Sequence, residues 1–150
     1  MDKNQRSLYA KQLLERLNYL TLATVNREGQ PWNSPVFYAY DGKKTFYWGS
    51  RQSTQHSQNI SENARGFIVI YDSTVEPYHG EAVYAQVLCE ELKPTEISRA
   101  IKLLHTKLGE SYMTPADVQD PAEHRLYKAT IENSWIKDPE RDIRKEVNIV

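Results

Sequence analysis

Tyr19-Leu20-Thr21-Leu22-Ala23-Thr24-Val25, then Asn26-Arg27-Glu28-Gly29, then the segment Gln30 to Tyr40 that opens with Gln30-Pro31-Trp32-Asn33-Ser34-Pro35-Val36, is the stretch on which the fold turns. The first run is β-branched and apolar, which favours a strand. The four polar residues after it end in a glycine that can take positive φ, so the chain doubles back as a hairpin. The second arm is long, and Asp41-Gly42 after it favours another tight hairpin into Thr45-Phe46-Tyr47-Trp48. Three antiparallel strands in a meander are the expected nucleus.

Outward from it, Ala10, Leu13, Leu14 and Leu17 recur at helical spacing, predicting an amphipathic helix over Ser7 to Asn18. Gly49-Ser50 breaks the strand pattern, and Ser53 is placed to cap a short helix through about Ile60. Phe67 to Tyr71 is continuously apolar, as in a central strand covered on both faces. After the turn-rich Asp72 to Gly80 comes a long strand, Ala82 to Glu91. Pro94 then opens a second helix with Ile97, Ala100, Ile101, Leu104 and Leu108 on one stripe, ending at Gly109. Thr114-Pro115 caps a short turn, and Arg125 to Ile131 and Ser134 to Lys137 read as closing strands. Asp138 onward is charged and reads as a peripheral tail. Six or seven strands in hairpin order describe a mainly β protein, an antiparallel barrel with flanking helices. One domain spans 1–150: an opening helix (1–18), a barrel core (19–92), a helical insertion (93–122), closing strands (123–138) and a tail (139–150).

The 150 residues suit one hydrophobic core, and 39% hydrophobic with 26% charged residues is a globular composition. A net charge of −1 gives no support to a nucleic-acid or anionic-membrane partner. The single cysteine, Cys89, precludes an internal disulfide, and His56, His79, His105 and His124 lack zinc spacing, so no metal site is expected. The polar N-terminus and the want of a long apolar run point to a cytoplasmic protein.

The sequence holds no G-x-G-x-x-G, Walker loop, G-x-S-x-G or H-E-x-x-H. What remains is Trp48-Gly49-Ser50-Arg51-Gln52-Ser53-Thr54-Gln55-His56, where hydroxyls, an arginine and a histidine gather at a strand end and helix start. Free amides, a positive dipole end and a forked guanidinium suit a phosphate. A capped surface helix beside a solvated arginine explains the same residues, and spacing alone leans that way. Pro31-Trp32-Asn33-Ser34-Pro35 denies a ladder two donors, so it borders either a flat ring or simply an edge guarded against aggregation.

Together, Tyr19 to Val25, Gly29 to Val36, Phe46 to Arg51, His56 and Asn59-Ile60 resemble the pyridoxamine 5′-phosphate oxidase-like family of flavin-binding antiparallel split β-barrels. The likeness runs from about Leu17 to Leu92, with an echo at Arg125-Leu126-Tyr127 and Trp135. It implies a homodimer with FMN in a cleft between barrels and flavin redox chemistry on a small molecule. By that resemblance Ser50 and Arg51, with Thr54 and His56, hold the FMN phosphate. Asn33, Ser34 and Pro35 pass beside the isoalloxazine ring, Trp48 and Gly49 lie on the next strand, and Trp135 completes the cleft from the partner subunit. The chain lacks the family oxidases' basic residue near the start of the Trp32 to Phe37 strand and their terminal arginine motif, which argues against pyridoxamine phosphate as substrate. The glutamine set beside the ring in family enzymes falls here near Glu81 or Ala82. Rival readings are a deazaflavin-dependent reductase, a non-enzymatic flavin- or haem-binding dimer, and a single-strand nucleic-acid binder.

Overall fold

Alternation decides β1 (Tyr19–Val25): Leu20, Leu22 and Thr24 are buried while the residues between them face outward. In a computed structural model, which describes residues 1–137 and 144–149, β1 forms the expected hairpin with β2 (Pro31–Phe37). Gly29 closes the turn at φ +83°. After Tyr38 the same chain segment becomes β3 (Ala39–Tyr40), which pairs with β4 (Thr45–Arg51). The Asp41 carboxylate accepts from the amides of Lys43, Lys44 and Thr45 at 2.8, 2.9 and 3.0 Å, with Gly42 at φ +75°. Removing that acceptor with Asp41→Ala lowers stability by about 1–2 kcal/mol, readable as a shifted urea midpoint with unchanged slope.

The expected three-stranded meander is not formed. β4 pairs with β7 (His124–Lys137) instead of β2, giving the order β2-β1-β5-β6-β7-β4-β3 with β8 (Arg144–Glu146) beside β7. The long second arm runs on past the start of β1: the Tyr38 amide bonds to the Asn18 carbonyl at 3.2 Å, its ring is fully buried at the join, and β3 beyond it no longer has β1 as a neighbour. The two ends of the sheet are thus successive pieces of one chain, and the antiparallel sheet curls into a split barrel. The two expected closing strands are one, because Glu132 is an unpaired extra residue between Ile131↔Val87 and Asn133↔Gln86.

Inside the curl pack Leu20, Leu22, Phe46, Trp48, Ile68, Ile70, Val83, Ala85 and Ile136. The opening helix, α1 (Lys3–Arg16), begins earlier than its periodicity suggests because Asp2 and Gln5 form a reciprocal capping box. Its Leu13 and Leu14 plug the end of the barrel near Tyr38, and the Lys107 ammonium donates to the Leu14 and Leu17 carbonyls. α2 (Gln55–Glu62) covers the opposite end, with the Asn59 amide donating to the Thr24 hydroxyl at 3.0 Å. α3 (Ile97–Leu108) packs Ala100, Ile101 and Leu104 on the outer side of β3, β4 and β7 against Ala39, Tyr47 and Leu126.

Two further expectations are corrected. β5 (Arg65–Tyr71) lies between β1 and β6 (Ala82–Glu91), but only Ile68 and Ile70 are fully covered. Its other side, with Phe67, Val69 and Tyr71, continues outward over Trp135. The tail from Asp138 lies outside the described residues as far as 143. Residues 144–149 are not peripheral: Val147 and Ile149 are buried in the main core, and the Ser134 hydroxyl donates to the Val147 carbonyl at 2.6 Å. Their charged neighbours mask a period-two apolar pattern too short to stand out.

Candidate functional site

Ser50 is the last inward-facing residue of β4, and the helix that follows is started by Thr54 rather than Ser53. The Thr54 hydroxyl donates to the Arg51 carbonyl at 3.0 Å and stands 3.4 Å from the Ser57 amide as its acceptor. That start turns His56 back toward the strand end. Its Nε2 lies 2.8 Å from Ser50 Oγ and 3.2 Å from Thr54 Oγ1, and its Nδ1 lies 3.2 Å from Ser34 Oγ on β2. Ser34 also accepts from the Trp32 indole at 3.0 Å. His56 is 7% exposed, and burial pulls its pKa below the ordinary value, so the imidazole is neutral at pH 7. Thr54 reaches Ser57 Oγ at 2.8 Å, and Ser57 in turn touches the buried Tyr127 hydroxyl.

Ser34, Ser50, Thr54 and His56 are therefore one cluster. Arg51 is not in it: successive strand residues point to opposite faces, and its guanidinium lies 3.9 Å from Glu123, with 61% of the side chain exposed. Asn33 and Pro35 also face away from Ser34, on the exposed side of β2. Trp48 is 0% exposed and stacks on Tyr127 inside the core. Over Gly49, a Cβ would stand 2.5 Å from the Met113 sulfur, so the bare backbone there is covered by this chain's own thioether. Trp135 stacks on Phe67 on the outward face of the sheet, 6.3 Å between ring centres. Gln86 lies on that same face, paired with Phe67 and accepting from the Asn133 amide at 3.3 Å. It is the glutamine of β6, several residues beyond the position expected near Glu81 and Ala82.

Chemically, the cluster is neutral: the hydroxyls of Ser34, Ser50 and Thr54 gather round one imidazole, and Ser50 keeps a proton to give. Ser50 is 8% exposed and its hydroxyl, among the described residues, has no bond other than that to His56. Such a set fits an anionic oxygen group such as a phosphate monoester, with Arg51 nearby as the source of formal charge. Among the described residues no group of three or more His, Cys, Asp or Glu is placed to hold a metal ion. No helix among them is long and apolar enough to cross a membrane. Spacing could not single out Tyr127 or Gln86, which are set by tertiary register; Ser57, three residues after the cap Thr54, and the Trp32-Asn33-Ser34 order, putting an indole donor and a hydroxyl on one strand face, are local signals.

The sequence model of the family described as pyridoxamine 5′-phosphate oxidase matches residues 9–137. No curated protein matches significantly. Among solved structures, a haem-binding protein from Mycobacterium smegmatis superposes with a TM-score of 0.77 at 18% identity, covering 95% of this chain and 57% of that one. The chain thus spans little more than half of the mycobacterial protein. HutZ, the haem storage protein from Vibrio cholerae, gives 0.70 at 15% identity over 83% of this chain and 89% of its own. An F420 reductase gives 0.62 at 22% identity over 83% and 94%. At these identities the likeness speaks for the fold.

Proposed function

The chain belongs to the pyridoxamine 5′-phosphate oxidase family, and from that premise we propose that it binds FMN between two copies of its barrel and acts as an oxidoreductase on a small molecule other than pyridoxamine phosphate. The observation that carries this reading is the Ser34–Ser50–Thr54–His56 cluster, a convergence of hydroxyls on a buried histidine in which the buried Ser50 holds a proton without a protein acceptor. Ser50 would donate to a phosphate oxygen, with His56 orienting it from behind and Thr54, its own proton held by Arg51 or Ser57, keeping His56 in place. Arg51 would swing from Glu123 to supply charge, its present contact being long and solvated. The outward side chains of β2, Asn33 and Pro35, would border the ring, with Gln86 and Trp135 of the second copy facing it. A second copy is supported by the apolar outward face of Phe67, Val69, Tyr71 and Trp135, of which Tyr71 alone is 51% exposed. When bound, the flavin supplies the electron or hydride transfer, while the protein supplies orientation and electrostatics.

Absorbance after loading with FMN and desalting tests the reading: retained flavin bands are expected, followed by bleaching with NADH or NADPH. Arg51→Ala should weaken FMN binding by about 1.5–3 kcal/mol, at least tenfold in Kd, through lost charged hydrogen bonds. An unchanged Kd removes Arg51 from the phosphate. Haem retained in place of flavin, with a Soret band, overturns the cofactor assignment. Its axial ligand would then have to be sought outside the cluster, because both His56 nitrogens face hydroxyls.

A further inference from the structure

We propose that Trp32, half-exposed on β2, is a positioning residue that acts with Thr54 to select the tautomer of His56 and thereby presents the Ser50 hydroxyl as a donor to an anionic group. An indole N–H can only donate, so Ser34 Oγ accepts from Trp32 at 3.0 Å and keeps its own proton to give. The group in reach is His56 Nδ1, at 3.2 Å; with one Ser34 lone pair already taken by the indole, the arrangement favours Ser34 as donor and Nδ1 as the bare nitrogen. From the other end, a backbone carbonyl can only accept. Thr54 commits its proton to Arg51 at 3.0 Å, or to Ser57 at 2.8 Å, and in either case turns a lone pair toward His56 Nε2 at 3.2 Å. Nε2 must then carry the hydrogen.

An obligate donor and an obligate acceptor on different elements thus select the same neutral form. The opposite tautomer would set the lone pairs of Thr54 Oγ1 and Nε2 against each other and cost Ser34 its acceptor within the cluster. With Nε2–H shared between Thr54 and Ser50 at 2.8 Å, Ser50 is an acceptor toward His56, and its own proton points out of the relay. The direction of the whole chain, Trp32 to Ser34 to His56 to Ser50, is set at both ends, by Thr54 at Nε2 and by Trp32 through Ser34 at Nδ1. That the final proton meets a phosphate rests on the FMN reading; the tautomer does not.

The test is long-range ¹H–¹⁵N NMR of histidine-labelled protein, without and with FMN, for wild type and Trp32→Phe. In wild type near pH 7, His56 should show protonated Nε2 and bare Nδ1. Trp32→Phe should raise the Nδ1–H tautomer to a measurable minor share, Thr54 still favouring Nε2–H, and raise the FMN Kd about three- to tenfold, with the unfolding midpoint unchanged because the ring is 50% exposed. Ser34→Ala should reproduce that minor share. A protonated Nδ1 in wild type, or a Trp32→Phe spectrum identical to wild type, overturns the positioning role. The expected tautomers with an unchanged FMN Kd overturn the link from Ser50 to phosphate. Failure of FMN to bind at all defeats the FMN reading, while the tautomer spectra still decide the role of Trp32.

Discussion

Trp48→Ala lowers the unfolding free energy by about 3–5 kcal/mol, the loss expected when a fully buried indole leaves a cavity that its neighbours cannot fill. Trp48 is 0% exposed, lies between Ser50 and Phe46 on the inner face of β4 and stacks on Tyr127 at 5.9 Å. Its Nε1–H is also buried with no acceptor among the described residues, a standing cost inside an otherwise apolar wall. Trp48→Phe discards that donor along with some volume, so the two effects oppose and the net change stays within about 1.5 kcal/mol. Urea unfolding of both variants checks the pair. FMN titration of the Phe variant adds a functional control: its Kd should match wild type, since the side chain does not reach the surface. A tenfold weakening would return Trp48 to the ring.

Ile149→Ala is expected to cost about 2–5 kcal/mol, although the residue stands in a segment whose composition looks dispensable. Ile149 is 0% exposed, packs in the main core with Val147, and its carbonyl accepts from the Tyr40 hydroxyl. Lys145→Ala, two positions from Val147 on the pairing strand, should change the midpoint by less than about 0.5 kcal/mol. Equilibrium denaturation of the two variants side by side separates a structural C-terminal strand from a tail, which would give equal and small effects.

The barrel was legible wherever local chemistry decides geometry. Asn26 to Gly29 and Asp41-Gly42 make their turns through positive-φ glycines and Asp41's carboxylate, and the β1–β2 register follows from those constraints together with the alternation of Leu20, Leu22 and Thr24. What stayed hidden is long-range: which strand receives β4, where Glu132 bulges, and that Val147 and Ile149 belong inside. Each depends on partners distant in sequence. The candidate site divides the same way. Ser50, Thr54 and His56 lie within one strand-to-helix turn and were found from their order; Ser34 joins them only because β2 crosses that end of the barrel. Arg51 follows Ser50 directly and was grouped with it, yet strand alternation sends the two to opposite faces. Trp48 belongs to the ring's neighbouring strand by resemblance, while alternation makes it the inward neighbour of Ser50, sealed in the core.

The partnership of β4 with β7, from Thr45↔Thr130 to Arg51↔His124, has a consequence for synthesis on the ribosome. The β1–β2 and β3–β4 hairpins can close as they emerge, and β5 and β6 can add to β1. One flank of β4 then waits, with Phe46 and Trp48 unsheltered, until α3 and the whole of β7 have left the exit tunnel. A nascent chain stalled within α3 would therefore be a ready client for chaperones and a poor one to release, and rare codons or pauses in that interval would lower yield without altering a single residue of the finished barrel.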